Sequence, residues 1–200
     1  MKPRIITLLT MVSLALLSMA QVASAGPIED VRDAISRNDY VMAERLSRPL
    51  AVLGNAEAQF YLGNMHDLGL GAPHDYQKAV NWYRRSAEQG YAKAQWYLAA
   101  MYQAGQGVPQ DFREAVKWYL LSAKQGNPQA QWHLGLIYST GWGAPLDFVR
   151  AHMWYNLSAS TNESAVKSRD DLAATMTPSQ ISRAQAMASK CHASNFKNCD

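Results

Sequence analysis

The chain has 200 residues, 48% of them hydrophobic and 18% charged, with 19 Lys and Arg against 16 Asp and Glu. That length and apolar fraction suit a single domain with a real core, and the formal charge of +3 falls to a near-neutral +1 once the N-terminal leader described below is removed, which with no basic run argues against nucleic acid or anionic membrane as a partner. Two cysteines, Cys191 and Cys199, form no C-x-x-C, so zinc ribbons and thioredoxin-type chemistry lack their ligands.

Residues 1–25 read as a secretory signal peptide. Lys2 and Arg4 precede a largely apolar run from Ile5 to Leu17, and Ala23-Ser24-Ala25 is a small-x-small cleavage site. A membrane span needs about 20 apolar residues, and this run breaks at Ser18, Gln21 and Ser24. Cleavage after Ala25 leaves 200 − 25 = 175 residues. The charge falls from +3 to +1, because Lys2 and Arg4 leave and no acid does. No later stretch is long and apolar enough to insert in a bilayer.

Residues 26–54 are expected to form a cap. A short helix around Glu29 to Ser36 precedes a half repeat whose Asp39-Tyr40 and Ala43 match Asp75-Tyr76 and Ala79 at a shift of 36 residues. Three full repeats follow at the same shift, over 55–90, 91–126 and 127–161. Ala58-Gln59 returns as Ala94-Gln95 and Ala130-Gln131, and Gly69-x-Gly71 as Gly105-x-Gly107 and Gly141-x-Gly143. Asp75, Asp111 and Asp147 are likewise equivalent, as are Trp82-Tyr83, Trp118-Tyr119 and Trp154-Tyr155. A period in this range means stacked supersecondary units.

Each unit is predicted to hold two helices. In helix A, Ala58, Leu62 and Met65 fall at i, i+4 and i+7, a single apolar stripe, and the other two units repeat it. The first glycine of each Gly-x-Gly supplies a left-handed stop, and the aspartate after the proline caps helix B. Helix B turns Ala79, Trp82, Tyr83, Ala87 and their equivalents inward, and in the last unit it is expected to reach about Asn162. No unit can bury such a face alone, so the fold class is all-α, an α/α solenoid or superhelix of antiparallel helix pairs with 36-residue repeats.

Residues 162–200 should close the stack. A helix is expected around Glu163 to Met176. Thr177-Pro178-Ser179-Gln180 is a capping box opening another, with Ile181, Ala184, Ala188 and Cys191 on its apolar stripe. In an oxidising compartment Cys191 and Cys199 are expected to pair.

The segments A-E-A-Q-F-Y-L-G at 56–63, G-L-G-A-P-H-D-Y at 69–76 and K-A-V-N-W-Y-R-R-S-A-E-Q-G at 78–90, with their copies, resemble the Sel1-like repeat family across residues 39–161. Residues 170–181 are similar to the tail of exported bacterial members. The resemblance implies a right-handed, tetratricopeptide-like superhelix with helix A on its concave side. It also implies a non-catalytic scaffold or adaptor for a partner protein or peptide in the bacterial envelope, periplasmic or, alternatively, secreted. His66 departs from the family tyrosine kept at Tyr102 and Tyr138, and His152 stands where Val80 and Val116 are apolar. No repeat contains cysteine, unlike the β-lactam-related branch.

Three helix A positions differ among the units: Tyr61, Tyr97, His133; Asn64, Ala100, Leu136; and Asp67, Gln103, Ser139. Packing does not dictate them, and varied aromatic residues in a row on a concave surface are a ligand-groove pattern. The partner-binding residues expected are Tyr61, Asn64, Trp96, Tyr97, Trp132, His133 and Leu136. Phe60, Trp96 and Trp132 could equally face the core between units.

The competing reading is an envelope hydrolase acting on β-lactams or peptidoglycan. Ser164-x-x-Lys167 and Ser194-x-x-Lys197 match S-x-x-K, but neither S-D-N nor K-T-G accompanies them. His66, His74, His133, His152 and His192 contain no close ligand pair. The Gly-x-Gly turns follow a helix and not a strand, which suits helix termination better than a phosphate cradle. No catalytic residue, metal or cofactor is therefore expected.

Overall fold

The structure, a computed structural model, describes residues 26–199. The expected leader at 1–25 lies outside the described residues. Ten helices and no strand occur among them: α1 (Pro27–Ser36), α2 (Tyr40–Val52), α3 (Ala56–Leu68), α4 (Tyr76–Glu88), α5 (Ala92–Ala104), α6 (Phe112–Ala123), α7 (Pro128–Thr140), α8 (Phe148–Ser158), α9 (Glu163–Ala173) and α10 (Pro178–Ala193). From α1 to α9 each helix packs chiefly on its neighbours in the chain, the arrangement of a solenoid, and α10 folds back onto α8.

The helix limits follow the residue chemistry. The helix A members α3, α5 and α7 end at Gly69, Gly105 and Gly141, with φ of 69°, 70° and 80°. Asp39, Asp75, Asp111 and Asp147 cap α2, α4, α6 and α8 by accepting backbone N–H bonds. The expected end of helix B near Asn162 is too late. That residue is extended and its side chain accepts from Ser164 N–H, so it opens α9, while α8 stops at Ser158. In turn α9 stops at Ala173, before the expected Met176, and Met176 packs down as a buried plug.

Ala58, Leu62 and Met65 and their counterparts are buried, as the stripe requires. A β-carbon on Gly63 would meet the Tyr83 ring at 2.5 Å, so glycine lets α3 and α4 lie close, and Gly135 does the same under Tyr155. The tryptophans divide. Trp154 is 1% exposed because the closing helices α9 and α10 pack over α8. Trp82 and Trp118 are half-buried and lean back on the preceding unit's core, so the fully buried ring in the first two units is the tyrosine, Tyr83 or Tyr119.

Repeated polar residues tie the helices together, glutamines between units and serines within them. Gln59, Gln95 and Gln131 donate to the carbonyls of Ala51, Ala87 and Ala123 at 3.0, 3.1 and 3.3 Å. Ser86, Ser122 and Ser158 donate to the carbonyls of Ala56, Ala92 and Pro128 at 2.6, 2.7 and 2.7 Å. These bonds use buried carbonyls and join helices that apolar packing alone would let slide.

At the C-terminal end Ala184, Ala188 and Cys191 are buried, and Cys191 pairs with Cys199, their Cα atoms 4.5 Å apart. Closing so short a loop stabilises by about 2.5 kcal/mol on the chain-entropy relation. Urea unfolding with and without dithiothreitol should show a loss of that order. Coincident curves would mean that the tail contributes nothing to the fold.

Candidate functional site

The A helices leave a groove of about 590 Å³ whose lining includes Phe60, Tyr61 and Asn64 of α3 and Lys93, Trp96 and Tyr97 of α5, with the segment 125–129 before and at the start of α7. Ile35 and Tyr40 of the N-terminal cap close one end. A second hollow of about 420 Å³ continues past Trp96 and is lined by Gln129, Trp132, His133 and the turn at 161–164. Trp96 belongs to both. Six of the seven expected positions thus lie along one channel; Leu136, half-buried on α7, does not line it.

Phe60 is only 6% exposed, yet it forms the groove floor as the hub of an aromatic cluster. Its ring centroid lies 5.4 Å from those of Tyr91 and Tyr97, 5.6 Å from Tyr61 and 5.9 Å from Tyr83. Tyr97 stacks on Tyr83 at 5.2 Å, so it supports the core as well as facing the groove. Tyr97→Ala would therefore disturb the core as well as the groove. Trp96 and Trp132 are half-buried, and the Trp132 indole N–H donates to Ser168 Oγ at 3.3 Å, tying α7 to α9.

The third variable row is occupied otherwise. Tyr83 OH donates to Asp67 at 3.1 Å, Tyr119 OH donates to Gln103 at 2.8 Å, and Tyr155 OH lies 3.2 Å from Ser139 Oγ. Three different side chains partner one buried phenol. Their variation reflects the many residue types that can accept a hydrogen bond. Burial pushes both the Asp67 carboxyl and the Tyr119 phenol up.

The N-terminal rim is ordered by an ion pair invisible in the repeat. Arg32 of α1 bonds both carboxylate oxygens of Glu57, at 2.8 and 2.5 Å, and Tyr61 OH donates to the same group at 2.9 Å. The Arg32 bond holds the Glu57 carboxyl below its usual range, and burial raises Tyr61 to about 12. At the other end, His133 lies parallel to Tyr119 at 4.7 Å and beside Trp132 at 4.9 Å. Burial lowers its pKa to about 4, so the imidazole is neutral at pH 7.

The remaining chemistry-bearing residues scatter. His66 is buried with Nδ1 3.1 Å from the Pro73 carbonyl, which explains how a histidine fills the tyrosine slot. Ser194 Oγ donates to the Cys191 carbonyl at 2.7 Å and accepts from Asn198 N–H, the pattern of a helix end. Ser164 begins α9 at the groove's far rim, and Lys167 is exposed. Among the described residues no group of three or more His, Cys, Asp or Glu is placed to hold a metal, and no helix is long and apolar enough to cross a membrane.

Sequence reasoning missed Lys93, Tyr91 and the segment 125–129. Gly90 and Gly126 recur at the 36-residue shift before α5 and α7, but that recurrence does not reveal that curvature brings the second of them to the groove.

The Sel1 repeat model matches residues 56–91, 92–127 and 128–160, together more than half of the chain. A protective antigen present in uropathogenic Escherichia coli strains, displaying an SLR fold, superposes with a TM-score of 0.59 at 24% identity; 78% of this chain covers 42% of that one. A Sel1 repeat protein from Oxalobacter formigenes superposes with a TM-score of 0.64 at 25% identity, over 85% of this chain and 78% of that one. No curated protein sequence matches the chain. Sel1 repeats are generally non-catalytic scaffolds for protein interaction. With three matched repeats and this solenoid of paired helices, the chain belongs to the Sel1 repeat family.

Proposed function

We propose that the protein is an exported binding module that holds a segment of a partner protein or peptide along the α3, α5 and α7 groove. The observation that carries this reading is the continuous aromatic channel in which Trp96 joins two hollows. Those rings touch the core on one side and stay partly open to the channel on the other, and large rings with few rotamers make strong contacts. The leader-like residues 1–25 and the Cys191–Cys199 pair support a place in the bacterial periplasm.

Affinity capture from an envelope extract supplies a partner, and titration calorimetry then tests the site. Trp96→Ala is expected to weaken binding by about 2 kcal/mol, or about thirtyfold. Lys117→Ala, on the exposed face of α6 where Lys117 pairs with Glu114 at 2.7 Å, is expected to leave affinity unchanged. A loss confined to Lys117→Ala would move the binding surface to the outer face. Melting curves of both variants separate a binding defect from a folding one.

A further inference from the structure

Away from the groove, the seam between α8 and α10 opens into a pocket of about 290 Å³. Its base is apolar, with the fully buried Met153 beside Val149 and Met187. Around that base stand Arg150, Arg183 and Lys190, one acid, Asp147, and the Asn198 amide. Arg183, Met187 and Lys190 fall at i, i+4 and i+7, so both cations share the face of α10 turned to the seam.

The three cations are not equivalent. Arg150 lies 3.7 Å from Asp147 and its guanidinium sits 5.7 Å from the Tyr138 ring, so its charge is matched and its direction set. The side chains of Arg183 and Lys190 are exposed and make no ion pair or hydrogen bond with any described residue. The balance around the pocket is three positive charges and one negative, a net +2. A comparable hollow lined by Arg48, Lys78 and Arg85 shows the contrast. There Arg48 bonds Glu44, Lys78 lies 3.3 Å from Asp75, and Arg85 lies 4.9 Å from the Trp82 ring.

We propose that the α8–α10 pocket binds a phosphoryl dianion carried by a small phosphate ester. Two unmatched cations supply the opposite charge of one such group. Arginine's planar fork suits its oxygens, the lysine adds a point charge, and Asn198 offers a further donor. The apolar base accepts the carbon portion of the ester. The disulfide builds one wall, because it folds Asn198 and Cys199 back against α10. This site is independent of the groove and stands whether or not the groove binds a protein.

The test is titration of the oxidised mature protein with inorganic phosphate and glycerol 3-phosphate, at ionic strength fixed with chloride. Sedimentation with phosphatidic acid vesicles runs in parallel. Saturable binding that weakens about tenfold or more in Arg183→Gln/Lys190→Gln is expected. Arg48→Gln/Lys78→Gln, at the matched hollow, should leave it unchanged. Binding to vesicles alone, lost in the same double variant, keeps the phosphoryl site and assigns the source to a lipid headgroup. No binding of either kind above the chloride control overturns the proposal, as does equal binding by the Arg183→Gln/Lys190→Gln variant. Both positions are exposed, and circular dichroism of the variants confirms that the fold is retained.

Discussion

Replacing Gly107 by alanine is expected to destabilise the protein by about 3 to 4 kcal/mol and to lower its melting temperature by about 10 °C. Two effects add. Gly107 has φ of 69°, where a β-carbon is strained by about 1 to 2 kcal/mol. That β-carbon would also press on the Tyr76 carbonyl oxygen and lie 2.9 Å from Gln77 N, both at the start of α4. Backbone atoms pinned in a helix cannot rotate aside, so the middle unit must move off the unit before it. Gly71 stands in the same relation to Tyr40 and Gly143 to Phe112, which makes the second glycine of each Gly-x-Gly an inter-unit spacer. The comparison is Gly105→Ala. It has the same φ of 70°, but its nearest atom is the Gln110 side-chain Cβ at 3.2 Å, so it should carry the strain alone, about 1 to 2 kcal/mol. Should the two variants melt together, close approach between units is not what position 107 demands.

Lowering the pH from 7 to 4.5 should remove on the order of 2 to 3 kcal/mol of stability through His133 alone. Burial brings its pKa to about 4, below the ordinary 6.5, and its Nδ1 is buried with no hydrogen-bond partner among the described residues. Its ring faces Tyr119, Trp96 and Trp132, with Glu163 across the hollow. The folded state thus favours the neutral ring, whereas the unfolded chain takes up a proton near 6.5. The contribution is full above that pH and disappears as pH falls toward 4. His152 is also lowered, first by burial and then by Arg169, and acts in the same direction. Carboxylates titrate in this range too, so the informative quantity is a difference. His133→Tyr, the residue present at Tyr61 and Tyr97, should lose less stability than the parent between pH 7 and 4.5 in urea unfolding. Equal losses would show that position 133 is hydrated.

The repeat made the fold legible from sequence. Ala58, Leu62 and Met65, the stop at Gly69 and the cap at Asp75 are local signals acting within about one helix, and each occurs three times. The closing helix was equally legible, because the capping box Thr177–Gln180 is a contact over three residues. Asn162 was nevertheless read as an end and not a beginning, since an asparagine between two helices can serve either and only the backbone conformation decides.

Of the site, the row Tyr61, Tyr97, His133 was visible because three copies of one position could be compared. That comparison reports which positions packing leaves free, not what each one does. Asp67, Gln103 and Ser139 vary as much, yet they receive the phenols of Tyr83, Tyr119 and Tyr155 from the facing helix. Periodicity alone thus determined the helices, their stripes and their stacking order. Tertiary structure decided which side of Phe60, Trp96 and Tyr97 is wet, that Arg32 anchors Glu57, and that Arg183 and Lys190 meet Arg150 across a seam. The reason is physical: helix signals are carried by neighbours in the chain, whereas a groove or a pocket is made by the curvature that brings separate helices together.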